Sequence, residues 1–79
     1  MKVMSDFKRV ALFLKPSDEV DEAMKLKRLH DFIEGHSDYV VTIMLRSESD
    51  FLGAKENFDI ILTTDTIYLP IAGIEIIRV

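Results

Sequence analysis

Seventy-nine residues with 48% hydrophobic side chains, a net charge of −4 and no cysteine describe one domain. A chain this short buries only roughly 60–65% of the surface it exposes when unfolded, and the missing cysteines exclude disulfides and thiolate metal sites. Nucleic-acid binding is driven largely by Lys and Arg neutralising phosphates, so the acidic balance argues against direct nucleic-acid contact. With no apolar run near the ~20 residues of a membrane helix, a membrane role is not expected.

Lys8 to Lys15 holds five consecutive apolar side chains between basic ends, the pattern of a strand covered on both faces. The period then changes. Ser17 is the expected N-cap, and Asp18 and Glu19 follow where negative charge suits the helix dipole. Ala23, Leu26, Leu29, Phe32 and Ile33 recur at helical spacing up to Gly35, a C-cap candidate. Tyr39 to Leu45 is β-branched and apolar and predicts a second strand. Ser47 to Asn57 predicts a short helix, interrupted by Gly53. Phe58 to Thr63 predicts a third strand and Ile74 to Val79 a fourth.

This order predicts an α/β fold: a small three-layer sandwich on a mainly parallel four-stranded sheet, in the order β-α-β-α-β-β. The last link stays open between two readings. The favoured one is a parallel crossover of about ten residues, short for such a connection. The other pairs Thr66–Ile71 antiparallel with Ile74–Val79 around Ala72-Gly73, which puts Pro70 into a ladder it suits only at an edge. The closing apolar strand, with no helix after it to cover the sheet, predicts either excision from a longer chain or cover by a second surface; the plainer alternative is a compact monomer in which the long helix covers enough.

Chemistry is sparse. The first strand-to-helix loop, Lys15-Pro16-Ser17-Asp18-Glu19, is where α/β folds bind phosphate. Lys15 and Ser17 are candidate phosphate ligands, although Pro16 lacks an N–H and the two acids repel anions. Asp18, Glu19, Asp21 and Glu22 read as a solvated acidic face rather than a cation site. Histidine as a residue type can take up and release a proton near neutrality, so His30 and His36 are candidate phosphoryl acceptors, each more simply a surface or capping residue. Thr63, Thr64 and Asp65, at the end of the third strand, are the candidate polar rim of a pocket. Phe51, Tyr68, Leu69 and Ile71 are the candidate apolar interface, with the last strand beside them. No cofactor, metal or catalytic residue is indicated, and the expected partner is a second copy or a neighbouring domain. A cytoplasmic protein is the default.

The run Asp59-Ile60-Ile61-Leu62-Thr63-Thr64, followed by Ile74-Glu75-Ile76-Ile77-Arg78-Val79, resembles the enzyme IIB-like domains of the bacterial sugar phosphotransferase system, above all those carried by transcriptional regulators of the Mga and BglG kinds. The arrangement of Arg9–Leu14, long helix, Tyr39–Leu45 and short helix extends the resemblance over nearly the whole chain. Active IIB domains carry a phosphorylated cysteine in the first strand-to-helix loop, and this chain has none. The resemblance therefore implies a fold, a place in transcription regulation and a role in self-association, without phosphocysteine transfer. The alternative is a phosphoryl-accepting or phosphate-binding module acting through His30, His36 or Ser17.

Overall fold

The computed structural model describes residues 7–68 and 71–79. Its elements are β1 (Lys8–Phe13), α1 (Glu19–Glu34), β2 (Tyr39–Leu45), α2 (Phe51–Ala54) with a single 3-10 turn on either side, β3 (Ile60–Thr63) and β4 (Glu75–Arg78). The four strands form one sheet in the order β2-β1-β3-β4, and every neighbouring pair is parallel. The α/β fold with a parallel four-stranded sheet is as expected from the sequence.

Burial explains the unbroken apolar runs. In a strand, successive side chains point to opposite faces, so a central strand must be apolar at every position. Val10, Ala11, Leu12 and Phe13 of β1 are all buried, as are Ile60 to Thr63 of β3. They feed two cores. On one face Leu29 of α1 packs with Val10, Leu12, Ile60 and Leu62. On the other, Phe51 of α2 and Phe58 pack with Ala11, Phe13, Leu45 and Ile61. The two helices thus cover opposite faces of the sheet, giving three layers.

The link to β4 resolves to the parallel reading: Ile60 lies beside Glu75 and Thr63 beside Arg78. The hairpin of Thr66–Ile71 on Ile74–Val79 does not form; residues 66–68 and 71 lie outside any strand, while Leu69 and Pro70 lie outside the described residues. The physical reason lies in the connector. It lays Ile67, Ile71 and Ile74 against the core on the α2 face, doing the covering that a crossover helix would otherwise do. Gly73 takes a positive φ of 81° in its turn, a conformation glycine adopts without strain.

One local expectation shifts by a residue. Asp18, not Ser17, caps α1, its carboxylate accepting the Asp21 N–H at 2.8 Å. Ser17 lies one position earlier, and its N–H donates to the Glu22 carboxylate at 2.8 Å. At the far end Gly35 is the C-cap, at an ordinary negative φ of −85°.

β2 is an edge strand with an irregularity. Val10 lies beside Val41 and Ala11 beside Ile43, so Thr42 is an extra residue in the ladder, a bulge. Its hydroxyl donates instead to the Asn57 carbonyl.

Candidate functional site

From β1 the chain crosses by α1 to β2 on one side, and then by α2 to β3 on the other. The strand order therefore reverses between β1 and β3. Ligands of open α/β sheets bind outside the carboxyl ends of the strands at such a reversal. The residues there are the β1–α1 loop, the first turns of α1 and the start of the β3–β4 connector. The fold thus brings Lys15 and Ser17 to the same end of the sheet as Thr63, Thr64 and Asp65.

Asp65 joins them. Its carboxylate accepts the Lys15 N–H at 3.1 Å and the Lys25 ammonium at 2.9 Å. The Lys25 and Asp65 side chains are only 18% and 14% exposed, so water screens this pair less than the surface pairs. Lys25 also reaches Asp21 at 3.2 Å. These contacts raise its pKa, the Asp65 hydrogen bond most, against the opposing effect of burial. The Asp21 carboxyl is held below its usual range, first by a hydrogen bond from Ser17 and then by one from Lys25. Glu22 is lowered likewise, first by the Ser17 N–H and then by Arg46, whose guanidinium lies 2.8 Å away.

The threonines divide. Thr63 is fully buried; its hydroxyl donates to the Phe13 carbonyl at 2.8 Å and accepts the Asp65 N–H at 2.9 Å. It ties β3 to β1 and aims the Asp65 carboxylate back across the loop. The Thr64 hydroxyl oxygen is buried with no partner among the described residues. Beyond β2, Glu48 accepts the Tyr68 N–H at 2.8 Å and lies 3.5 Å from the Lys15 ammonium. That ammonium also sits 4.8 Å over the Tyr68 ring, a favourable place for a cation. The Lys15, Lys25 and Arg46 cations and the Lys15 and Ser17 N–H groups are thus engaged by the chain's own acids, and the connector is clasped onto the β1–α1 loop. Lys25, Arg46 and Glu48 were not singled out from the sequence as parts of this site, because Asp65, Glu22 and Tyr68 lie 40, 24 and 20 positions from them; Glu22 entered only as part of the acidic face.

His30 and His36 are elsewhere. α1 returns toward the start of β2, so His30 stands roughly 18 Å along the helix from Asp18 at 1.5 Å per residue, and its side chain is exposed. His36 follows the helix and stacks on both Phe32 and Tyr39, with centroids at 4.2 and 4.7 Å. Its Nδ1 lies 2.8 Å from the Phe32 carbonyl, a contact that requires a proton on Nδ1. The two histidines and Ser17 do not converge on one point.

The candidate interface also divides. Phe51 is a correction: it is 2% exposed and packs edge-on against Phe13 at 5.1 Å, because it is the anchor by which α2 holds the sheet. Tyr68 is 75% exposed, Ile71 is half-buried, and Leu69 lies outside the described residues. Strand β2 also exposes apolar side chains, with Val40, Val41 and Met44 each more than 40% exposed. An apolar run reads alike in an edge strand and a central one, so the sequence carried no signal of it.

Among the described residues no helix is long and apolar enough to cross a membrane, and no cluster of three or more His, Asp or Glu is placed to hold a metal ion. No family model, curated protein or solved structure gives a significant match to this chain.

Proposed function

We propose that this chain is a non-catalytic regulatory domain that works by self-association, of the IIB-like kind carried by Mga- and BglG-type bacterial transcriptional regulators and lacking their phosphorylated cysteine. The observation that carries the reading is the uncovered edge of the sheet. β2 is a seven-residue strand without a charged side chain, and it leaves Val40, Val41 and Met44 in solvent. Isolated edge strands are normally guarded by charges, proline or a bulge. Here the bulge at Thr42, in the β1–β2 ladder, is such a guard against strand addition, so association at this edge is a packing of side chains. The parallel sheet covered by helices on both faces agrees with the fold that the resemblance implies. The loop that would carry the phosphorylated residue instead has its Lys15 N–H on Asp65.

Sedimentation velocity over a wide concentration range tests the proposal. The wild-type chain is expected to form a dimer or larger species at high micromolar concentration. A Val41→Lys, Met44→Lys double variant is expected to shift to monomer with unchanged circular dichroism. A wild-type chain that stays monomeric throughout that range would overturn the self-association reading.

A further inference from the structure

We draw no further inference here: the strongest candidate, the crevice between the β1–α1 loop and the β3–β4 connector where the Thr64 hydroxyl is buried without a partner among the described residues, has its Lys15 N–H and Lys25 donors taken up by Asp65 and belongs to the site already described.

Discussion

Asp65 is the residue on which one end of the molecule turns. Removing its carboxylate leaves the Lys15 N–H without its acceptor and the Lys25 ammonium with Asp21 alone among the described residues. A polar group that loses its partner in a poorly hydrated place costs more than the average hydrogen bond contributes. Asp65→Ala should therefore destabilise the fold by about 1–3 kcal/mol, read from urea unfolding. Asp65→Asn keeps an oxygen for the Lys15 N–H and should recover part of that loss. Lys27→Ala is the control: its pair with Asp31 is 76% and 60% exposed, and exposed pairs of this kind contribute little. Equal losses in Asp65→Ala and Lys27→Ala would refute the clasp. The position of Thr63, Thr64 and Asp65 at a turn on the carboxyl end of the sheet was readable from the sequence, since small oxygen-bearing residues after a parallel strand belong there. The partners of Asp65 were not. Lys25 is 40 positions from Asp65 and Lys15 is 50, and nothing in local spacing pairs charges across such separations.

The elements show which local signals survive folding. Runs of apolar residues located all four strands, because each must pack against at least one helix or the connector. The adjacent cap formers Ser17 and Asp18 located the start of α1 only to within one residue; either side chain can accept the first free N–H groups, and backbone geometry chose Asp18. The short α2 is the clearest case of packing outweighing propensity. Four residues are too few to be stable as an isolated helix, and α2 is held in place by Phe51 against Phe13. Phe51→Ala should cost about 3–5 kcal/mol, whereas Leu52→Ala, at a side chain 73% exposed, should be nearly silent in thermal unfolding. The reverse ranking would move Phe51 back to the surface. Glycines give a second contrast. An added Cβ meets nothing within 4 Å at either Gly53 or Gly73, but only Gly73 has a positive φ. Gly73→Ala should thus be destabilised by about 1 kcal/mol from backbone strain. Gly53→Ala, in a helical turn, should be neutral or stabilised by a similar amount. Chemical denaturation of the two variants side by side measures the difference.

At the scale of the whole molecule, the direction of β4 was the point that the sequence left open, because a connector of this length fits both readings; what decided it was where Ile67, Ile71 and Ile74 could be buried. The same scale governs the response to acid. Asp59 takes a two-pronged contact from Arg9, at 2.9 and 3.1 Å, that joins the start of β1 to the start of β3. Its pKa is lowered, most by this hydrogen bond and against some desolvation; Asp21 and Glu22 are lowered at the other end of the sheet. A carboxyl whose pKa is lower folded than unfolded contributes stability above its unfolded pKa, and that contribution disappears as pH falls through the folded value. All three act in the same direction. The urea midpoint should therefore be level near neutrality and fall steadily once the pH drops below about 4–5, where free carboxyls begin to take protons. Arg9 and Lys25, whose pKa values are raised by the same carboxylates, act with the opposite sign on the alkaline side: their contribution is complete at neutral pH and is lost only at strongly alkaline pH, while in acid the pairs are lost with their carboxylates. Asp59→Asn should be less stable at neutral pH and show a shallower acid slope. The net charge of −4 reaches zero near pH 5.0, at the upper edge of that acid window, which favours association of copies. The titration must then be run at several protein concentrations: a midpoint that depends on concentration reports assembly, and the part that does not reports these carboxylates. An acid slope identical in the wild type and Asp59→Asn would remove Asp59 from the account.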